Sequence, residues 1–357
     1  MHVIVHIGQP KAGSSAIQMA LRAERAGLRE KGILVGPLDR DLSFALTKAD
    51  IVKKIPNFRI RFKTMDAAQE HSERQWKIFR NEVEQAQPRL TLLSSEHLVG
   101  TPKDLLERLR PLFTKISIVC YVRDPVSRFV SALDQGIRGG HSTIPDLHDK
   151  EFPSPANPIQ AYQKQVGEEN VTVRNFDRAN LKDGDVVTDF FDQVSQITGQ
   201  EIVPQHPSQR TNESLCGAAT VWLLTANATF HRQTAAPASV KLRQSLIKHL
   251  READSLKDLP RLKMTDPVLV NAIRSATAAD CRWLNETVLQ GQVPLEVGNP
   301  KPTTAPDPAE LRARMQDWLL GYLTPEATAL VAREVLAHRP ALAPATKQRE
   351  QAAAASA

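Results

Sequence analysis

The spacing of apolar residues changes repeatedly along the first two hundred positions. Short runs rich in apolar and β-branched residues predict buried strands of a parallel sheet at 2–7 (HVIVHI), 33–35, 89–95, 116–122 (ISIVCYV) and 171–176 (VTVRNF). Between these runs, apolar residues recur at helical spacing and predict helices over 14–30, 66–87, 103–112, 125–138 and 186–198.

Strands that alternate with helices predict an α/β fold, in which a largely parallel sheet is the middle one of three layers. Ligands of such sheets bind at the carboxyl ends of the strands. Gly8, Glu96 and Arg123 each directly follow a predicted strand. We therefore expect these three positions to meet at one edge of the sheet.

From about residue 214 onward, the spacing of apolar residues predicts helices and no strands. The predicted helices cover 214–230, 240–257, 266–290, 308–321 and 325–337. Residues 139–158, with GGHST and several prolines, predict a long loop near the ligand edge. The predicted organisation is an α/β core over 1–213, a helical part of the same domain or a lid over 214–297, a linker with C-terminal helices over 298–339, and a disordered tail over 340–357.

The composition is that of an ordinary globular protein. Of the 357 residues, 41% are hydrophobic and 24% are charged, which excludes a fully disordered chain and a coiled coil. The formal net charge of +6 is too small to predict nucleic-acid binding, and it fits a basic pocket for a small polyanion. The sequence predicts no oligomeric state.

Cysteine usage and hydropathy indicate the compartment. The three cysteines, Cys120, Cys216 and Cys281, are far apart and form neither a disulfide framework nor a metal knuckle. No apolar run approaches the roughly 18 residues that a membrane helix needs, and a strand begins directly at residue 2. We expect a cytoplasmic protein without a membrane span.

The first predicted strand leads into the string HIGQPKAGSSAIQ (6–18), which has the frame of a phosphate-binding loop. Nucleotide hydrolases place a lysine directly after the second glycine, whereas this chain has Ser14 there and its lysine at position 11. Lys11 can reach the bridging oxygen of a shorter, diphosphate-like group. The alternative is a strand–helix turn with glycines for geometry and a lysine for solubility.

The string QPKAGSS resembles the 5′-phosphosulfate loop of bacterial sulfotransferases, whose usual form is P-K-[ST/A]-G-[ST]-[ST]. The second half of that signature is a strand that ends in arginine, with a serine eight residues later, and Arg123 and Ser131 fit it within IVCYVRDPVSRFVSAL (118–133). QRTNESL (209–215) and NFDRANLKDGDVVTDFF (175–191) are weaker similarities. The resemblance covers about residues 1–290.

This resemblance implies a fold related to nucleotide kinases, and 3′-phosphoadenosine 5′-phosphosulfate (PAPS) as donor, with adenosine 3′,5′-bisphosphate as product and no metal required. The residues that would hold the 5′-phosphosulfate are Lys11, Ala12, Gly13, Ser14 and Ser15. Arg123 and Ser131 would hold the 3′-phosphate, with Arg210 as a third group. The expected acceptor is a hydroxyl or amine of a carbohydrate or small metabolite, which the sequence does not identify further.

Sulfuryl transfer is an in-line displacement in which negative charge grows on the bridging oxygen, and Lys11 can stabilise that charge. The acceptor must lose a proton to a base, for which we predict Glu96, with His97 as the alternative and His141 next. An extended chain would direct Glu96 and His97 to opposite sides, so only one of them would face the acceptor. No spacing of His, Cys, Asp and Glu indicates a metal site.

Two other functions use the same fold. An ATP-dependent, kinase-like phosphotransferase would need a lysine at position 14 and a magnesium-binding aspartate after a strand. A non-catalytic nucleotide-binding protein would bind the donor without turnover on any acceptor.

Overall fold

Five strands form a single parallel sheet, as the apolar runs predicted. A computed structural model describes residues 1–38, 42–46, 62, 64–147, 152–206, 214–230, 237–298 and 307–338. The strands are β1 (His2–His6), β2 (Ile33–Leu38), β3 (Leu90–Ser94), β4 (Lys115–Val122) and β5 (Val171–Asn175). Their order in the sheet is β2-β3-β1-β4-β5, and every pair is parallel.

Strand β1 lies at the centre of this sheet, between β3 and β4. The chain builds one half of the sheet from β2 and β3 and then crosses to the other half with β4 and β5. The carboxyl end of β1 therefore lies where the direction of building reverses, which is the usual ligand position in open α/β sheets.

Twelve helices lie within the described ranges: α1 (Ser14–Glu30), α2 (Met65–Ala86), α3 (Pro102–Leu109), α4 (Pro125–Gly139), α5 (Asn157–Val166), α6 (Val186–Thr198), α7 (Gly217–Phe230), α8 (Pro237–Glu252), α9 (Pro267–Ala276), α10 (Ala278–Thr287), α11 (Pro308–Leu320) and α12 (Pro325–Ala337). Of these, α4 begins as expected for Asp124-Pro125, because the Asp124 carboxylate accepts a hydrogen bond of 2.8 Å from the Ser127 backbone N–H.

The sheet is buried on both faces, which accounts for the nearly continuous apolar runs of its strands. Alternate residues of β4 enter different cores: Cys120 packs in one with α2, α3 and α5, and Tyr121 packs in the other with α1 and α6. This arrangement confirms the three-layer α/β fold.

Two helical stretches differ from the sequence prediction. Helix α5 begins inside the stretch predicted as a loop over 139–158, because Pro158 is in its first turn, where the missing N–H costs nothing. The predicted helix 266–290 is interrupted at Thr277, which is not helical and whose hydroxyl donates to the Ile273 carbonyl at 3.0 Å. Such a side-chain bond competes with the helix backbone.

The chain divides into two compact units. The described residues of 1–132, 146–212 and 264–311 form the first unit, which contains the sheet, and those of 133–145, 213–263 and 312–357 form the second. Residues 264–297, which we grouped with the helical part, belong to the first unit because Cys281 and Leu284 pack in the same core as Val171 and Val173 of β5. Most of the predicted linker and tail, and Arg210, lie outside the described residues.

The second unit is helical, and carboxylates on two of its helices bond neighbouring segments. Asp134 accepts hydrogen bonds from Arg138 Nε at 3.0 Å and from Thr220 Oγ1 at 3.2 Å. Glu334 of α12 accepts one of 2.6 Å from Ser255 Oγ. Across both units, none of the helices described has the length and apolarity to cross a membrane.

Candidate functional site

The loop between β1 and α1 begins in the middle of the sheet. The backbone N–H of Ile7 donates to the Val119 carbonyl at 3.0 Å, and the N–H of Ser95 donates to the His6 carbonyl at 3.0 Å. The sheet therefore holds the start of this loop from both neighbouring strands. Residues 8–13 form the candidate phosphate loop.

Two residues of the phosphate loop have left-handed backbone conformations. Gly13, which precedes α1, has φ 85°, and a side chain there would lie 2.8 Å from Phe176 Cε2 and 3.0 Å from Val186 Cγ2. Lys11 has φ 74°, which is uncommon for a residue other than glycine. Residues held in such conformations cluster at functional sites, so the position of this lysine supports a role in ligand binding.

The N-terminus of α1 has the properties of an anion site. Gly13 supplies no side chain to cap the helix, and the first turn contains no acidic residue. Helix N-termini attract anions through their backbone N–H groups and the helix dipole. Ser14 adds a second observation, because it is buried and its hydroxyl has no hydrogen-bond partner among the described residues.

Arg123 contacts the phosphate loop directly. It follows β4, and its Nη1 donates a hydrogen bond of 2.9 Å to the backbone carbonyl of Lys11. The guanidinium lies over the ring of Phe176, 5.6 Å from its centre. Burial lowers the pKa of Arg123, and the charge of Asp124 opposes that shift. Arginine keeps its charge in such surroundings, so a partly buried cation lies beside the loop.

Glu96 and His97 follow β3 at the same edge of the sheet, but the chain is not extended there. A 3₁₀ helix begins at Glu96, because the Ser95 hydroxyl accepts a hydrogen bond of 3.3 Å from the His97 backbone N–H. Glu96 Oε1 and His97 Nε2 are 3.7 Å apart, and both side chains are partly exposed. The expectation that these two side chains point in opposite directions is therefore wrong.

The other predicted site residues do not share one location. Ala12 is buried and Ser15 is exposed on the first turn of α1. Ser131 lies partly buried on α4, and no hydrogen bond between described residues joins it to the loop. His141 belongs to the second unit, where its backbone carbonyl accepts a hydrogen bond of 2.9 Å from Asn227.

Sequence reasoning missed two residues at the phosphate loop. Gln9 is buried, its Nε2 donates to the Pro155 carbonyl at 2.8 Å, and its Oε1 has no partner among the described residues. The position of Gln9 within the phosphate loop could have identified it as a site residue from the sequence. Phe176 directly follows β5, and its backbone N–H donates to the Val122 carbonyl at 2.6 Å. An aromatic residue at a strand end was the signal for Phe176.

Neither a metal cluster nor a reactive thiol accompanies the phosphate loop. Within the part of the chain that the structure describes, no three His, Cys, Asp or Glu side chains lie close enough to hold a metal ion. All three cysteines are buried, and burial raises the pKa of Cys120 to about 12 and that of Cys281 to about 11. Protonated, buried thiols are structural rather than nucleophilic.

A cavity of about 660 Å³ lies elsewhere in the first unit, lined by Ala45, Asp66, Gln69, Glu70, Glu73 and Arg74. Its three carboxylates make it a poor site for a polyanion, so the phosphate loop remains the candidate site.

No protein-family model and no curated protein matches this sequence. Among solved structures, the chain is similar to a sulfotransferase from Alicyclobacillus acidocaldarius, with a TM-score of 0.38 and 17% identity over 69% of this chain and 95% of that one. It is also similar to the sulfotransferase domain of the olefin synthase from Synechococcus PCC 7002, with a TM-score of 0.35 and 14% identity over 71% of this chain and 95% of that one. Similarities at this level carry no inference about the reaction.

Proposed function

We propose that this protein is a sulfotransferase, which moves a sulfuryl group from PAPS to a hydroxyl or amine of a carbohydrate or small metabolite. One observation carries the proposal: Lys11 lies inside the phosphate loop, in a left-handed conformation, and Arg123 bonds its backbone carbonyl. The two parts of the sequence signature, one containing Lys11 and the other Arg123, are thus in direct contact.

The phosphate loop fits a diphosphate-like group. The N–H groups at the start of α1 donate to the anion, and the buried Ser14 hydroxyl offers a further donor that no described residue satisfies. PAPS supplies the transferable sulfuryl group. The residues of the protein orient that group and stabilise its charge, because in-line transfer depends on both.

Lys11 is the residue that we assign to charge stabilisation. Negative charge grows on the bridging oxygen as the bond to sulfur breaks, and a preorganised cation at that oxygen lowers the barrier. The sulfuryl group carries less negative charge than a phosphoryl group, so one lysine with backbone donors can meet this need without magnesium.

Arg123 and Ser131 are assigned to the 3′-phosphate, with Arg210, which lies outside the described residues, as the third group. One N–H of Arg123 bonds Lys11, and the remaining donors of its guanidinium can bond a phosphate oxygen. Arg123 would then connect the two ends of the donor through a single side chain.

Glu96 is the proposed base, with His97 as the alternative. Both lie past the end of β3, the strand next to β1, and their side chains contact each other. Either group can accept the proton of an acceptor hydroxyl or amine from this position. The contact makes the two residues a pair, so removal of one alters the surroundings of the other.

Binding and transfer measured on the purified full-length protein test this function. We expect adenosine 3′,5′-bisphosphate to bind in calorimetry without metal, and ³⁵S-labelled PAPS to label at least one acceptor in a panel of carbohydrates, phenols and amines. Lys11→Ala serves as the matched inactive control. Magnesium-dependent binding of ATP with transfer of its γ-phosphate would instead establish the kinase-like alternative.

A further inference from the structure

His6 lies directly beneath the phosphate loop, and the proposed reaction gives it no role. It is the last residue of β1 and is completely buried, with the rings of Tyr121 and Phe190 against it at 5.8 and 5.7 Å. Its Nδ1 lies 2.8 Å from Ser94 Oγ on the neighbouring strand. Burial lowers the pKa of His6 from 6.5 to about 3, so the imidazole is neutral and carries one N–H.

The other ring nitrogen of His6 faces the start of α1. Nε2 is buried, and no described residue bonds it. A methyl group in place of the Gly8 hydrogen would overlap Ser14 Oγ and would lie 2.8 Å from His6 Nε2. Ser14 Oγ and His6 Nε2 are therefore within about 5 Å of each other, on the same side of Gly8. Both are buried polar atoms without a partner among the residues described.

The structure shows no direct hydrogen bond between these two atoms, but one water molecule or a small rotation of the Ser14 side chain would join them. A buried polar group left unpaired is costly. The hydroxyl of serine both accepts and donates, so Ser14 can accept from His6 and still donate to an anion. This requires His6 to carry its proton on Nε2, with Nδ1 accepting from the Ser94 hydroxyl.

We propose that His6 is a positioning residue, which fixes the Ser14 hydroxyl toward an anion in the phosphate loop through a chain of hydrogen bonds that runs from Ser94 through the imidazole to Ser14. Each hydrogen bond in this series donates in the same direction, from Ser94 toward the anion, so each bond strengthens the next. The proposal rests on the proposed function only for the identity of the anion, the 5′-phosphosulfate group.

A double-mutant cycle tests the coupling, with calorimetric affinity for adenosine 3′,5′-bisphosphate as the readout. His6→Asn keeps an amide near Ser94 and removes the group at Nε2, whereas His6→Gln places an amide nitrogen near the Nε2 position. We expect Ser14→Ala and His6→Asn each to weaken binding on the order of tenfold, the double variant to be no weaker than either, and His6→Gln to keep most of the affinity.

A purely structural role for His6 gives a different result. The losses from His6→Asn and Ser14→Ala would then multiply in the double variant, or the His6 variants would lower thermal stability and leave the affinity unchanged. That outcome overturns the proposal, even where adenosine 3′,5′-bisphosphate binds the wild-type protein and the proposed function stands.

The wild-type protein offers a second readout that needs no variant to fold. In ¹⁵N-histidine-labelled protein at neutral pH, we expect the His6 ring to be the Nε2–H tautomer and its Nε2 signal to shift when adenosine 3′,5′-bisphosphate is added. A Nδ1–H tautomer overturns the proposal. If the wild-type protein does not bind the bisphosphate, the proposed function fails. The double-mutant cycle of His6→Asn and Ser14→Ala, repeated with inorganic pyrophosphate as the ligand, then tests the role of His6 independently of that function.

Discussion

Arg123 donates a hydrogen bond of 2.9 Å from Nη1 to the backbone carbonyl of Lys11, a residue 112 positions earlier in the chain. Lys11 has φ 74°, and a side chain in this left-handed region strains the backbone. The bond from Arg123 therefore stabilises the loop conformation that places the lysine. Arg123 supports the phosphate loop in addition to its proposed bond to the 3′-phosphate.

The Arg123→Ala variant separates these two roles of the arginine. We expect its affinity for adenosine 3′,5′-bisphosphate to fall by about 1.5–3 kcal/mol, as for a lost charged hydrogen bond. The affinity for adenosine 5′-monophosphate should fall by less, about 1 kcal/mol, because that ligand depends only on the support of the loop. Calorimetry with both nucleotides measures the difference.

Arg110→Ala is the matched control for this arginine. Arg110 precedes β4 and bonds the Gln165 carbonyl at 3.1 Å, away from the carboxyl ends of the strands, so both affinities should stay unchanged. Equal weakening of the two nucleotides by Arg123→Ala would show that the arginine acts on the loop alone.

Lys11 allows its charge to be tested apart from its backbone conformation. Lys11→Ala removes the ammonium group and keeps the strain of φ 74°, whereas Lys11→Gly removes both, since glycine adopts this conformation readily. We expect both variants to lose turnover by a few powers of ten, because the bridging oxygen loses its counter-charge. Donor affinity should fall less than turnover. Near-normal turnover in folded Lys11→Gly would contradict the role.

The local pattern of the sequence predicted the strands, because burial on both faces leaves a continuous apolar run, and it predicted the edge of the sheet at which the candidate site lies. It could not predict the contact of Arg123 with Lys11, which depends on β1 and β4 being neighbours and on the bending of the loop. The relation of Glu96 to His97 was missed for a more local reason. The Ser95 side chain caps a 3₁₀ turn that begins directly after β3. Side chains alternate between opposite sides only along a strand, so this rule does not apply to Glu96 and His97.

The metal requirement distinguishes the sulfotransferase from the kinase-like enzyme. We expect sulfuryl transfer to persist in EDTA and to change little on addition of magnesium, because in the proposed mechanism Lys11 supplies the positive charge and the transferred group carries less charge than a phosphoryl group. Initial rates with labelled PAPS in EDTA, and in EDTA with excess magnesium, measure this. An absolute requirement for a divalent cation would favour the kinase-like phosphotransferase.

The pair formed by Glu96 and His97 contains the proposed base. We expect Glu96→Gln to remove most of kcat and to leave donor affinity unchanged, because the amide cannot accept the acceptor's proton. His97→Ala should have a smaller effect on kcat, through the contact of 3.7 Å between Nε2 and Glu96 Oε1. Steady-state kinetics with saturating PAPS separates kcat from binding.

Glu107→Gln, which changes an exposed carboxylate on α3, is the control for these variants and should be fully active. A large loss in His97→Ala with full activity in Glu96→Gln would exchange the two roles. If neither variant loses activity, His141 is the next residue to test.

The two histidines of β1, one buried and one partly buried, predict how stability depends on pH. Burial lowers the pKa of His6 from 6.5 to about 3, and burial, assisted by Lys115 and the amino terminus, lowers that of His2 to about 4. The unfolded chain therefore binds more protons than the folded protein below about pH 6.5. The stability that the neutral histidines contribute is complete above that pH and is lost progressively as the pH falls toward 3.

Comparison with His6→Gln isolates the contribution of His6, since the carboxylates titrate in both proteins. Between pH 5.5 and 4.5, we expect the free energy of unfolding of the wild-type protein to fall more steeply than that of the variant by about 1.4 kcal/mol per pH unit, the value for one proton. Urea unfolding at a series of pH values measures both slopes. Parallel slopes would mean that His6 takes up its proton without unfolding, and its imidazole would then not be the neutral, buried group that the phosphate loop covers.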